Sequence, residues 1–385
     1  MNPLFANLPT SIFAHMSALA VEHGAVNLGQ GFPDFGWPDD VVARAAQALT
    51  AGSNQYAPMR GLPELRQAVV DHYARHQGLA LDPDWITITS GATEALAAAI
   101  MALVSPGDEV VLLQPVYDAY LPLVLRAGGI PKLVRLEPPQ WEITAEALDA
   151  AFSPNTKLVI FNNPHNPSAR VFGHAELSLL ATRCVAHDCV ALTDEVWEHL
   201  VFDGLTHISL SSLPGMAERT VKVGSAGKIF SLTGWKVGWI AAPPHLGGPI
   251  SMAHQYVAYA TPPNLQAAVA FGLGKGDDYY GAMRAGFAAA RDWLDSALRD
   301  AGFVTLRADG TYFLNVDLAA SGIALGDMTF CERAVREAGV AAIPLSAFYA
   351  ENPVTNVIRL CFAKKRETLE EGVKRLSAAK ALFAG

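Results

Sequence analysis

The chain has 385 residues and a formal net charge of −9, with 51% hydrophobic and 17% charged residues, a balance that suits a two-domain protein with a sizeable core and argues against disorder. The acidity, with no basic tail or Lys/Arg cluster, gives no footprint for nucleic acid. Met1–Ala20 lacks the basic-then-apolar order of a secretory signal, and apolar stretches such as Ala95–Val104 fall short of the roughly 20 residues a bilayer requires.

The N-terminal segment up to about Pro38 has no pairing partner of its own and is expected to pack on a second domain or on another subunit. Strands are predicted at Trp85–Ser90, Glu109–Leu113, Lys132–Leu136, Lys157–Phe161, Val190–Thr193, Thr220–Gly224 and Val237–Ala241. Helices are predicted from Gly91 to about Val104, over Tyr117–Ala127 and over Ala175–His187. Strands alternating with helices imply an α/β fold with a mostly parallel sheet, whose ligands sit outside the carboxyl ends of the strands. After about Pro262 the pattern changes to a long helix over Tyr279–Ala301 and strands at Phe303–Arg307 and Tyr312–Val316. A helix near Phe330–Ala338, a strand Val357–Phe362 and a helix from about Glu367 complete a smaller α+β domain. Cys184, Cys189, Cys331 and Cys361 form no C-x-x-C pair and no His pair has zinc spacing, so we expect reduced thiols, a cytoplasmic location and no metal.

Five features fall at strand ends or inside apolar strands, each with an ordinary structural reading beside a chemical one. Ser90-Gly91-Ala92-Thr93 opens a helix, where small residues and free N–H groups suit an anion, or simply make a capped turn. Asn162-Asn163-Pro164-His165-Asn166-Pro167 is a stiff loop whose amides could orient a polar ring substituent. Asp194-Glu195 ends the strand Val190–Thr193 as a metal ligand, a base, a counter-charge to a ring nitrogen or a helix cap. Lys228 follows Gly224-Ser225-Ala226-Gly227 and is a candidate nucleophilic amine. A nucleotide P-loop fails there, because Ile229 replaces Ser or Thr and Lys222 holds the first glycine position. Arg359 lies in an apolar strand, which is costly unless it meets an anion, either a structural carboxylate or a bound one. Together, an amine able to form a Schiff base, a carboxylate, an anion-binding turn, an amide loop and a late arginine are the parts that a pyridoxal 5'-phosphate (PLP) enzyme uses.

At these positions the sequence resembles the class I/II aminotransferases of fold type I, and within them the branch of kynurenine/glutamine and methionine aminotransferases. The resemblance rests on NLGQGFPDF (27–35), TSGATEAL (89–96), NNPHNPSA (162–169), TDEVWEHL (193–200), GSAGKIFSLTGWKVGW (224–239), GVAAIPLSAF (339–348) and IRLCFAKK (358–365). It implies that Lys228 carries the cofactor and shuttles a proton, that Asp194 pairs with the pyridine nitrogen and that Asn166 bonds its phenolic oxygen. It implies that Ala92, Thr93, Ser225 and Lys236 hold the phosphate and that Tyr117 stacks on the ring. Tyr56, in NQYAP, resembles a tyrosine that reaches a neighbouring subunit's cofactor, implying a homodimer with sites at its interface. Arg359, with Gly31 and Asn166, would clamp the substrate carboxylate, and Phe13 and Tyr259 would line the side-chain pocket.

The implied domains are an N-terminal segment 1–45 shared between small domain and dimer contacts, a large PLP-binding domain 46–275 and a small C-terminal domain 276–385. The expected reaction is ping-pong transfer of an amino group from an apolar, thioether or aromatic amino acid (methionine, glutamine or kynurenine type) to a 2-oxo acid. The alternatives are cysteine-conjugate β-lyase activity on the same site and a non-catalytic ligand-binding protein. Two positions depart from the family pattern. Trp197 stands where a tyrosine is usual among the cofactor contacts, and Ala169 stands where glycine is usual, so a different local turn is expected there.

Overall fold

The computed structural model describes residues 3–383; residues 1, 2, 384 and 385, the outermost positions of the predicted N-terminal segment and C-terminal domain, lie outside the described residues. A seven-stranded sheet is built from β1 (Ile86–Thr89), β2 (Glu109–Gln114), β3 (Ile130–Arg135), β4 (Thr156–Asn162), β5 (Val190–Asp194), β6 (Thr220–Ser225) and β7 (Gly238–Ala241). The order across it is β1-β7-β6-β5-β4-β2-β3. β7 runs antiparallel to both of its neighbours, and the other four pairings are parallel. Every residue of β1, β5, β6 and β7 is buried, as expected of strands covered on both faces.

This topology puts the carboxyl ends of β1, β4, β5 and β6 on one edge. Asn162 pairs with Asp194, Asp194 with Val223, and Gly238 opposes both Ser225 and Thr89. The predicted motifs therefore converge because the strands that carry them run the same way. The helix Gly91–Leu103 starts directly at that edge.

A second, antiparallel sheet of four strands has the order Ile343–Pro344, Val357–Cys361, Phe313–Asp317 and Val304–Thr305. The N-terminal segment joins this half of the chain. Val26–Asn27 pairs in parallel with Val340–Ala341, and Leu28 accepts a hydrogen bond from the Cys361 amide at 2.7 Å.

Several boundaries differ from the sequence reading. The helix expected at Tyr117 begins at Tyr120, so Tyr117 and Asp118 stay in the loop after β2. The helix expected at Phe330–Ala338 is an α-helix, Asp327–Arg333, followed by a π-helical turn over Ala334–Ala338. The strand expected over Phe303–Arg307 shrinks to Val304–Thr305. Ala169 adopts the left-handed conformation itself, at φ 63°, so the turn that glycine would favour is made by alanine. Against the expectation from apolar lengths, Leu4–Glu22 is long and apolar enough to cross a membrane by length and composition. It forms two helices, Pro3–Asn7 and Ile12–Glu22, and the second buries Met16, Leu19 and Ala20 in the core.

Gly224, near the end of β6, shows how tightly this edge is packed. A Cβ there would sit 2.3 Å from the Trp239 Nε1 and 2.6 Å from the Tyr73 hydroxyl, which are hydrogen-bonded to each other at 2.8 Å. Gly224→Ala is expected to lower stability by about 1–3 kcal/mol, the usual cost of overpacking, as read from urea unfolding.

Candidate active site

Lys228 sits in a one-turn helix, Ala226–Ile229, directly after β6, and its amine enters a cavity of about 200 Å³ at the sheet edge. Burial pushes the amine down to about 8, against an opposing pull from Asp194. Such an amine is partly neutral near physiological pH and can act as a nucleophile or base.

Asp194 ends β5 and lines the same cavity. One carboxylate oxygen accepts from the Tyr120 hydroxyl at 2.6 Å, and the other has only a long contact, 3.5 Å, with the Val196 amide. Burial raises its pKa, and among the described residues no side-chain cation lies within 4.0 Å of it. A desolvated carboxylate with a free oxygen facing a cavity calls for a proton donor from a ligand.

Asn162 and Asn166 form the adjoining wall. The Asn162 amide donates to the Asp194 carbonyl at 2.7 Å, and its oxygen accepts from the Asn166 backbone amide at 2.7 Å. The Asn166 side-chain oxygen accepts from Arg359 Nη1 at 2.6 Å. Arg359 stands behind Asn166 rather than in the cavity wall. It is 1% exposed, and its Nη2 donates to the Gly29 carbonyl at 3.2 Å. Its guanidinium lies 3.8 Å from the Phe313 ring centre and 5.2 Å from those of Phe13 and Phe348, while its Nε has no partner. Burial brings its pKa down to about 10, which leaves it charged.

At the opposite end, Ala92 and Thr93 line the cavity with Ser225 and Lys236. Gly91 takes φ +77°, and a Cβ on it would meet Lys236 Nζ at 3.1 Å. A Cβ on Gly238 would meet the Ala92 nitrogen at 2.8 Å. Glycines thus let a helix start and a lysine close on one small polar volume, a geometry suited to a phosphate. Tyr117 also lines the cavity, and burial raises its hydroxyl. Trp197 lies with its ring centre 4.5 Å from Lys228 Nζ.

Of the sequence-predicted residues, Lys228, Asp194, Asn166, Ala92, Thr93, Tyr117, Trp197, Ser225 and Lys236 share this cavity. Gly31 and Phe13 lie near it, through Tyr312 and Arg359 respectively. Tyr56 and Tyr259 do not line it; they pack on each other at 5.5 Å, with exposures of 85% and 45%. Sequence reasoning missed Tyr120, Asn162 as the link between loop and Asp194, and Tyr312, whose hydroxyl is 3.2 Å from Lys228 Nζ. The spacing of Tyr120 three residues after Tyr117 was the one available signal.

The family model for class I and II aminotransferases matches residues 23–376. The chain belongs to this family. It is 43% identical to methionine aminotransferase of Escherichia coli over 381 residues, covering 97% of this chain and 98% of that one. It is 36% identical to kynurenine–oxoglutarate transaminase 1 of Mus musculus over 402 residues, covering 96% and 95%. The solved structure of N-succinyldiaminopimelate aminotransferase from Mycobacterium tuberculosis superposes with a TM-score of 0.95 at 42% identity, covering 98% of this chain and 100% of that one.

This aminotransferase is a PLP-dependent enzyme of amino acids and 2-oxo acids, and nothing in these likenesses favours elimination over amino transfer. Its cavity fits the cofactor: an amine of lowered pKa, a carboxylate that lacks a cation, and a glycine-lined cradle closed by a lysine.

The low pKa of Lys228 has a consequence for the cofactor-free protein. The unfolded chain binds more protons on this group than the folded one between about 8 and 10.5, so its contribution to stability rises with pH across that window. Lys228→Met should therefore melt higher than the wild-type apo-protein at pH 7, and the difference should shrink between pH 8 and 10.5 in calorimetry.

Proposed function

We propose that the enzyme transfers amino groups from apolar, thioether or aromatic amino acids, such as methionine or kynurenine, to 2-oxo acids. The observation that carries this reading is the setting of Arg359, a buried cation whose Nε has no hydrogen-bond partner, packed against Phe13, Phe313 and Phe348. Its planar fork, with the Asn166 amide, suits the α-carboxylate, and Phe13, partly buried beside it, suits an apolar side chain. Asp118, partly buried beside Tyr117 and within electrostatic reach of Arg359, disfavours a second carboxylate on the substrate. The names of the methionine and kynurenine relatives point the same way.

Bound PLP supplies an electrophilic carbon for amine attachment and a ring that accepts electrons from the substrate Cα. Lys228 would anchor it through the amine and, when free, would take up and release the proton at the substrate Cα. Asp194 would hold a proton at the ring nitrogen, with Tyr120 fixing the carboxylate. Asn166 would bond the ring oxygen, Tyr117 would pack on the ring, and Ala92, Thr93, Ser225 and Lys236 would hold the phosphate. Gly31, packed so closely on Phe313 that a Cβ there would lie 2.8 Å from the ring, would help Arg359 hold the substrate carboxylate.

Exposed Tyr56 and Tyr259 are the basis for inferring a homodimer in which each reaches the partner's site. The pairing of Val26–Asn27 with Val340–Ala341 supports a small domain of residues 1–45 and 276–385 beside a large domain of 46–275. Four buried, unpaired cysteines support a reducing, cytoplasmic setting.

The test is a half-reaction screen of purified holoenzyme, following the cofactor absorbance with each amino acid. Methionine and aromatic amino acids should react fastest; preference for a dicarboxylic donor overturns the substrate reading. Lys228→Ala should show no turnover. Arg359→Lys should lower kcat/KM by about 10–100-fold, because a lysine cannot reproduce the bidentate fork.

A further inference from the structure

The amine of Lys228 has a hydrogen-bond partner in Tyr312. Its Nζ lies 3.2 Å from the Tyr312 hydroxyl oxygen, and that hydroxyl donates to the Gly31 carbonyl at 2.5 Å. A phenol has one proton. With that proton committed to a carbonyl, the side of the oxygen facing Lys228 can only accept. Tyr312 is 1% exposed, and its ring is wedged edge-on against Trp197 at 4.4 Å and Phe313 at 5.0 Å. The oxygen is therefore fixed in place and in polarity.

We propose that Tyr312 is a positioning residue for Lys228: its hydroxyl oxygen takes one N–H of the amine and turns the remaining valences of the nitrogen toward the cavity. A neutral amine has two N–H bonds and a lone pair. Engaging one N–H narrows the directions the lone pair can take, which favours a proton transfer that needs one of them. The same bond favours the protonated amine, as does the Trp197 ring face beneath Nζ, so both oppose the effect of burial. Gly31 lies in the N-terminal segment whose Gly29 carbonyl accepts from Arg359. Tyr312 thus ties the placement of the amine to the segment beside the carboxylate clamp. The inference rests on Lys228 being the lysine that carries the cofactor.

Tyr312→Phe removes the oxygen and keeps the ring. In the folded apo-protein the Lys228 amine should titrate about one pH unit lower, as one lost hydrogen bond implies. This is read as the pH dependence of its acetylation by mass spectrometry. In the holoenzyme the acid limb of the kcat profile should move to lower pH, and kcat should fall about tenfold with KM changed less than about threefold. Should the phenylalanine variant not fold, p-aminophenylalanine at position 312 keeps the ring and a donor to Gly31 but is a poor acceptor, and the same downward shift is expected. An unmoved amine titration and pH profile in a folded variant overturns the proposal. Borohydride reduction and peptide mapping separate the two levels. Cofactor on another lysine overturns this inference together with the reading of the site, whereas cofactor on Lys228 with an unmoved profile overturns this inference alone.

Discussion

The hydrogen bond from Arg359 to Asn166 joins the two halves of the molecule at the point where the chemistry is placed. Arg359 belongs to the four-stranded antiparallel sheet, and Asn166 to the loop after β4 of the seven-stranded sheet. From Asn166 the chain of contacts runs through Asn162 to the backbone of Asp194. The Arg359 cation and the Asp194 residue are thereby held by one continuous set of short bonds. A displacement of either sheet would move one end of that set relative to the other. β5 and β6, which end at this point, are buried along their whole length, and the loop after β4 links them to the second sheet.

Two neighbouring buried carboxylates at this edge are driven in opposite directions, one by burial and the other by its partners. Asp194 and Glu195 are both buried. Asp194 has a tyrosine hydroxyl and a distant amide for partners, and burial raises its pKa. Burial would raise Glu195 as well, but Lys222 and His207 outweigh it and bring it down to about 2. Lys222 also bonds Glu198 at 2.9 Å, so β6 and the segment after β5 are pinned together by a buried ionic cluster, in which Glu198 Oε1 and His207 Nδ1 have no partner. Removing one member of such a cluster leaves a buried charge unpaired, which is far more costly than the cluster's net worth. Asp194, which among the described residues has no side-chain cation within 4.0 Å, is the one of the two that lines the cavity.

Much of this was legible in the sequence, for a physical reason: the functional residues lie on or directly after strands whose apolar runs are unambiguous. Lys228, Asp194 and Asn166 could be placed at strand ends before their geometry was known, and parallel pairing then brings those ends together. What was illegible depends on tertiary approach. Tyr312 precedes a strand from the other half of the chain and reaches Lys228 across 84 residues. Tyr120 lies inside an ordinary apolar helix, YLPLVLR, and only its hydroxyl contact with Asp194 distinguishes it. Glu195 looked as good a candidate as Asp194, because the partners that neutralise it come from β6 and from a loop twelve residues on.

The two departures from the family pattern, Ala169 and Trp197, are tied together by one short segment. Ala169 is held in a left-handed conformation that disfavours a side chain by roughly 1–2 kcal/mol. Its carbonyl accepts from the amides of both Asp309 and Gly310, at 2.9 and 3.0 Å, and its own amide donates to His165. Gly310 can approach because it has no Cβ; one would lie 2.7 Å from the Leu200 carbonyl. Thr311 then donates to that same carbonyl, and Tyr312 follows with its ring against Trp197. The strain at Ala169 is thus offset by bonds from residues 309–311, and those bonds fix where residue 312 must be. A tryptophan at 197 gives that residue a flat wall to pack on, and the phenol absent from position 197 stands instead on Tyr312, within hydrogen-bond distance of the lysine.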